Sequence, residues 1–206
     1  MKDHSETAKF AVDFVILPPD HVMDIAISIN RRACKDSYIA LDRQKCFPHI
    51  SLLMGCLGAD HLKEAELMLN SIVSQRKAMT LNVTHIRTVN SSMGDIITLD
   101  IDPHNDLQLL HESLVKAIGP RLSKDATEAD VFDPHTNAST LGWINGFISD
   151  SCFENFWPHI TVGYAKENIV AEEIEPFTFT ASRVAMCHIG NYCTCKKIFS
   201  EALLAK

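Results

Sequence analysis

Nowhere does this 206-residue sequence run apolar for the ~20 residues that a membrane-spanning helix needs; its longest apolar stretches are strand-sized. The N-terminus, Met1-Lys2-Asp3-His4-Ser5-Glu6-Thr7, is polar, with no apolar signal-peptide core behind it. We therefore expect a soluble, cytoplasmic protein that does not engage a membrane. Positive charge is scarce too: 19 Lys and Arg against 26 Asp and Glu give a formal net charge of -7. Long duplex nucleic acid is held through phosphate contacts from a broad basic surface, so it is excluded as the main partner. A nucleotide, a cyclic phosphate or a short RNA end in a small pocket stays open. The seven cysteines are an odd number without regular spacing, which argues against a disulfide framework. Cys187, Cys193 and Cys195 cluster near the C-terminus beside His188, but no second ligand pair of zinc-site spacing accompanies them. We expect reduced, buried thiols there and no metal.

What is present is ordinary globular material: 46% hydrophobic and 22% charged residues, enough for a sizeable core. The length suits one domain over residues 1–206, built as two closely fused lobes. Phe10 to Leu17 reads as a buried strand, and Pro18-Pro19-Asp20 starts a helix striped by Val22, Ile25, Ala26 and Ile29. A second strand is expected from His49 to Met54, broken by Gly55 and Gly58, with Asp60 capping the helix that carries Leu62, Ala65, Leu69, Ile72 and Val73. Met79 to Val89 and Asp95 to Ile101 read as strands around a turn-rich tract, and Asn105 or Asp106 opens a helix that Gly119-Pro120 ends. From Leu122 to about Ser149 the composition predicts a long loop with at most one short helix. A strand follows from His159 to Tyr164, and Phe177 to His188 with Asn191 to Leu204 form a closing pair. Early alternation of strands and helices with adjacent late strands favours α+β over a doubly wound parallel sheet.

The chemistry lies in a repeated hexapeptide. Phe47-Pro48-His49-Ile50-Ser51-Leu52 and Trp157-Pro158-His159-Ile160-Thr161-Val162 both read aromatic, proline, histidine, isoleucine, hydroxyl residue, aliphatic residue. The chain has four Pro-His pairs, but Pro103-His104 and Pro134-His135 lack the rest of the pattern. Side chains two apart on a strand share a face, so each segment sets an imidazole beside a hydroxyl. Two such units facing one cleft would surround a phosphate. The hydroxyls would donate to non-bridging oxygens, while one imidazole takes a proton from the attacking group and the other gives one to the leaving oxygen. An unperturbed pKa near ~6.5 suits imidazole to both roles.

The duplicated His-x-[Ser/Thr] motif resembles that of the two-histidine phosphoesterase superfamily, which includes 2′-5′ RNA ligase-like proteins and cyclic phosphodiesterases. The likeness extends to the opening strand ending in Leu17-Pro18, the His49-Ile50-Ser51-Leu52 strand, the Leu110-His111-Glu112-Ser113-Leu114 helix and His159-Ile160-Thr161-Val162. It implies a bilobal α+β fold with pseudo-twofold symmetry, two antiparallel sheets lining a central cleft, and helices outside. It also implies His49 and His159 as catalytic residues, Ser51 and Thr161 as phosphate-binding residues, and no cofactor. The basic residue often found a few positions after the second motif in RNA ligase-like members is not clear in Val162-Gly163-Tyr164-Ala165-Lys166. Two functions are carried forward: an enzyme opening a 2′,3′-cyclic phosphate or cleaving a 2′-5′ or 3′-5′ phosphodiester, and a nucleotide- or RNA-end-binding module with little turnover.

Around the motifs, Phe47 and Trp157 are read either as pocket walls, able to stack on a base, or as core aromatics. Strand parity turns Tyr164 away from His159 and into the core. His135, in the long loop, is a candidate lid residue reaching the cleft. His111 sits in an apolar helical stripe as a structural residue, and His85 and His188 have no partner pattern.

Overall fold

The computed structural model describes residues 8–33, 37–91, 94–165 and 173–206. The chain opens with β1 (Lys9–Leu17), whose last seven residues are buried. Pro18-Pro19 ends it, and the Pro19 carbonyl accepts from the amides of Val22 and Met23 as α1 (Asp20–Ala33) begins. Asp20 in the first turn and Arg31 and Arg32 in the last complement the helix dipole. Then come β2 (Ile50–Gly58), α2 (Leu62–Val73), β3 (Met79–Val89), β4 (Asp95–Ile101) and α3 (Asn105–Ile118). The chain finishes with α4 (Ala138–Asp150), β5 (His159–Ala165), β6 (Phe177–Ala181), β7 (Arg183–Ile189) and β8 (Cys195–Leu203).

The strands make two four-stranded antiparallel sheets, ordered β2-β1-β7-β8 and β5-β4-β3-β6. Each sheet has a histidine-motif strand at one edge, β2 beside β1 and β5 beside β4, which gives the fold its pseudo-twofold symmetry. The helices are exchanged between the halves. α1, which joins β1 to β2, packs on β5, while α3 and α4, which lie between β4 and β5, pack on β2. The fold is α+β and bilobal, with the two motif strands facing a central cleft. Phe14, Ile16 and Leu53 of the first sheet and Leu81, Ile97 and Leu99 of the second are fully buried. Burial of each such side chain contributes about 1.5–3 kcal/mol.

Several sequence expectations need correction. β2 does not break at Gly55. The Leu122 side chain comes within 2.9 Å of where a Cβ on Gly55 would stand, so this glycine admits a close neighbour rather than ending the strand. Asp60 does not cap α2: a short 3-10 turn at Ala59–His61 precedes the helix, and no side chain caps it. The expected long loop contains the 13-residue α4, whose N-cap Asn137 accepts a hydrogen bond from the Thr140 amide at 2.7 Å. Residues 177–188 are not one strand but two, split at Ser182 and placed in different sheets. Cys187 and Cys195 are not reduced thiols. A register shift between β7 and β8 brings their Cα atoms to 5.8 Å, within disulfide range, and they are bonded.

Candidate active site

Both histidines stand where a proline-led segment enters an edge strand, and their rings are held alike. His49 Nδ1 donates to the Phe47 carbonyl at 2.7 Å, and His159 Nδ1 donates to the Trp157 carbonyl at 2.9 Å. A carbonyl can only accept, so each neutral ring carries its proton on Nδ1 and leaves Nε2 with a free lone pair. The two rings line one cavity of about 60 Å³, together with Ser51 and Thr161. Burial is the first cause that holds the His49 pKa down at about 4, with His159 adding to the depression and the Phe47 carbonyl opposing it. Burial also lowers His159; the Trp157 carbonyl and Asp100 pull it back up, and Arg87 pushes it further down. In the free cleft both imidazoles are therefore neutral at neutral pH.

A bulge in each motif strand sets which side chains reach the cleft. Val15 pairs with Ser51 but Phe14 pairs with Leu53, so the ladder skips Leu52. Thr98 pairs with Thr161 but Ile97 pairs with Gly163, so the other ladder skips Val162. An extra residue reverses the alternation beyond it. Hence β2 presents His49, Ser51 and Met54 to the cavity, and β5 presents His159, Thr161 and Tyr164. Tyr164 is buried in the core as expected, but it shares the cavity side with His159; the parity argument assumed an unbroken strand. Its hydroxyl donates to the Tyr192 carbonyl at 3.2 Å on the cavity wall.

The flanking aromatics diverge. Phe47 lines the main cavity and its amide donates to the Cys195 carbonyl at 3.0 Å. Trp157 lines an adjoining cavity that also touches Ser51 and His159. Its ring stacks on the His159 imidazole, centroids 4.1 Å apart, and the Arg87 guanidinium lies 4.4 Å from its centroid. Arg87 is ion-paired with the buried Asp100, which Thr98 Oγ1 also reaches at 2.8 Å. β3 thus supplies a cation beside the second motif from a different part of the chain; Lys166 lies outside the described residues.

Five contributors are not legible in the sequence. Trp143 and Phe147 of α4 form one wall, hidden by the loop-like composition around them. Tyr192 and Cys193 form another, both at positive φ of 58° and 53°, a conformation uncommon for such residues. They are clamped by Asn191, which accepts from Asn137 and Thr140 side chains at 2.7 and 3.0 Å. Asp13 on β1 is fully buried, and Ser51 Oγ donates to its Oδ2 at 2.6 Å. A lone carboxylate in an apolar strand was the available signal for Asp13. His135 is exposed and not part of the cavity lining, so the lid expectation fails. His111 is structural as expected, and His188 donates from Nε2 to the Asp130 carbonyl at 2.9 Å.

The sequence model of the 2'-5' RNA ligase superfamily matches residues 19–191, a span that includes both histidine motifs. The chain belongs to this superfamily. No curated protein matches it by sequence. Among solved structures, TT0787 of Thermus thermophilus superposes with a TM-score of 0.61 at 12% identity, covering 95% of this chain and 98% of that one. LigT of E. coli complexed with phosphate gives 0.60 at 14% identity, covering 97% and 99%. The same protein complexed with 3'-AMP gives 0.58 at 14%, covering 96% and 99%. These likenesses establish a shared fold over nearly the whole of each chain. As a superfamily member, the chain falls among phosphoesterase- and ligase-like enzymes. Among its described residues, no group of three or more His, Cys, Asp or Glu side chains gathers as metal ligands would, and no helix is long and apolar enough to cross a membrane.

Proposed function

We propose that the protein is a phosphoric diester hydrolase that opens a 2′,3′-cyclic phosphate, or cleaves a 2′-5′ or 3′-5′ phosphodiester, at the end of a nucleotide or short RNA. His49 and His159 perform the acid–base work without a metal. The observation that carries this reading is the matched anchoring of the two rings: each Nδ1 is tied to the carbonyl two residues upstream, and both rings border one cavity. One neutral Nε2 removes the proton of the attacking water or hydroxyl. The other imidazole, protonated when the anionic substrate enters, delivers its proton to the leaving oxygen. Ser51 and Thr161 donate to the non-bridging oxygens. The phosphate and 3'-AMP complexes of LigT supply the ligand class that we carry over to this cleft.

The test is turnover of 2′,3′-cyclic nucleotides in the presence of EDTA, comparing wild type with His49→Ala and His159→Ala. Turnover that either substitution cuts by about 10²-fold or more is expected. Tight binding without turnover across a panel of cyclic nucleotides and short 2′-5′ and 3′-5′ oligonucleotides would instead identify a nucleotide- or RNA-end-binding module.

A further inference from the structure

Ser51 poses a problem that the mechanism leaves open. Its one hydroxyl proton is already donated to Asp13 Oδ2 at 2.6 Å. A serine with its proton turned away offers only lone pairs to the cleft, and lone pairs repel a phosphate oxygen. The environment of Asp13 shows how the conflict is resolved. The residue is fully buried, and its Oδ1 has no hydrogen-bond partner among the described residues. Its register partners are Met54 on β2 and Cys187 on β7, the latter locked in the disulfide with Cys195. Among the described residues, the one basic group near it is His49, whose Nε2 stands 3.8 Å from Oδ2 and which is itself neutral in the free cleft. The other ionisable groups on this side are the Cys193 thiol, which burial and Asp13 both push up, and His159 across the cavity.

We propose that Asp13 is a neutral carboxylic acid in the folded protein, and that its proton turns Ser51 into a donor for the bound anion. This inference rests on reading the cleft as a phosphoryl site. An ionised carboxylate with one orphan oxygen and no cation would be a costly thing to bury, whereas a neutral acid needs far less solvation. Burial raises the Asp13 pKa well above the ordinary carboxylate range, with the Ser51 hydrogen bond as a smaller opposing influence. When an anion enters, the carboxyl turns about Cβ–Cγ so that its O–H faces Ser51 Oγ and donates to it, and the Ser51 O–H swings to a non-bridging oxygen. No bond between heavy atoms forms or breaks, and every proton stays on the oxygen that carried it. Asp13 acts through Ser51 and is a positioning residue.

The test uses sulfate, which does not titrate in the range where these side chains do, with binding followed calorimetrically for wild type, Asp13→Asn and Ser51→Ala. An amide at position 13 reproduces the neutral acid: one oxygen to accept and an N–H to donate to Ser51. We expect Asp13→Asn to bind sulfate within about threefold of wild type at about pH 6, and Ser51→Ala to bind about tenfold more weakly. Thermal unfolding provides a second reading that does not depend on any ligand. A raised carboxyl pKa means that wild type loses stability as pH climbs above about 4, where the unfolded chain ionises, until the folded pKa is passed. Asp13→Asn has no such dependence, so its Tm advantage should widen from about pH 4.5 to about pH 8. The proposal is overturned if Asp13→Asn tightens sulfate binding about tenfold, because a carboxylate was then repelling the anion, or if its Tm advantage shrinks with rising pH. Should wild type bind neither sulfate nor cyclic nucleotides, the phosphoryl reading of the cleft fails and the Ser51 relay with it. The unfolding series would still decide the charge of Asp13.

Discussion

The side-chain amide of Asn30 on α1 donates to the main-chain carbonyl of Val162 on β5, 2.8 Å away and 132 residues along the chain. Val162 is the residue that the β4–β5 ladder skips, so its carbonyl is not placed to find a partner there. The other half of the molecule repeats the device with different chemistry. His111 on α3 donates from Nδ1 to the carbonyl of Leu52, the residue skipped in β1–β2, at 2.6 Å, and its Nε2 accepts from the Phe153 amide at 2.9 Å. Leu52 and Val162 each lie three positions beyond a motif histidine. A polar group on an exchanged helix therefore pins each bulge, and each bulge aims the cleft residues.

Replacing Asn30 should reveal how much these pins hold. Its side chain also donates to the Ile39 carbonyl and accepts from the Leu41 amide, so three buried backbone groups depend on it. Leaving buried polar groups unpaired costs about 1–3 kcal/mol each, and partial relaxation leads us to expect a loss of about 3 kcal/mol for Asn30→Ala in chemical denaturation. A loss below about 1 kcal/mol would mean that water or main chain replaces the amide.

The proposed roles of His49 and His159 make the pH dependence of rate specific. kcat/KM reports the free enzyme, where both imidazoles titrate below the ordinary ~6.5, so its bell should be centred on the acidic side of that value. A bound phosphate favours imidazolium, so the bell in kcat should lie at higher pH. Superimposable profiles centred above neutrality would contradict this assignment.

Stability should respond to the same burial. The folded pKa of His49 is depressed, so the folded state binds fewer protons than the unfolded chain as pH falls below about 6.5. The contribution is complete above that pH and is lost as pH drops through about 4, and the shift corresponds to roughly 3 kcal/mol. His49→Gln, which cannot titrate, should show a shallower decline in unfolding free energy over this window. Equal slopes would place the burial cost elsewhere.

Arg87→Ala probes the environment of the second motif. Removing the guanidinium takes away one of the influences that lower His159 and leaves Asp100 with His85 alone as an ion-pair partner, so the His159 pKa should rise. Loss of the contact over Trp157 should cost about 0.5–1 kcal/mol in stability. Imidazole titration followed by NMR distinguishes this from a general loosening, which would move His49 as well.

Side-chain identity carried the motif, so the meeting of His49, Ser51, His159 and Thr161 at one cavity was readable from the residues alone, as were most strands with strong apolar runs. Geometry that depends on one extra residue was not readable. Nothing local to Ile160-Thr161-Val162-Gly163 signals the bulge, and without it Tyr164 falls on the wrong face. α4 was obscured because Ser139, Thr140, Gly142 and Gly146 weaken its intrinsic helix preference. It is fixed instead by the Asn137 cap and by burial of Ile144 and Phe147. Arg87 and Asp13 reach the site from β3 and β1, and their roles appear only once the strands are paired.

The order of strands within the first sheet has a consequence for synthesis on the ribosome. β1 needs β2 on one side and β7 on the other, and β7 begins only at Arg183. Until β7 emerges, one flank of β1 carries unmatched amide and carbonyl groups next to strongly apolar side chains, an edge prone to pairing with another chain. β1 thus stays half-paired while everything between Leu17 and Arg183 is made, and a chaperone would matter most over that interval.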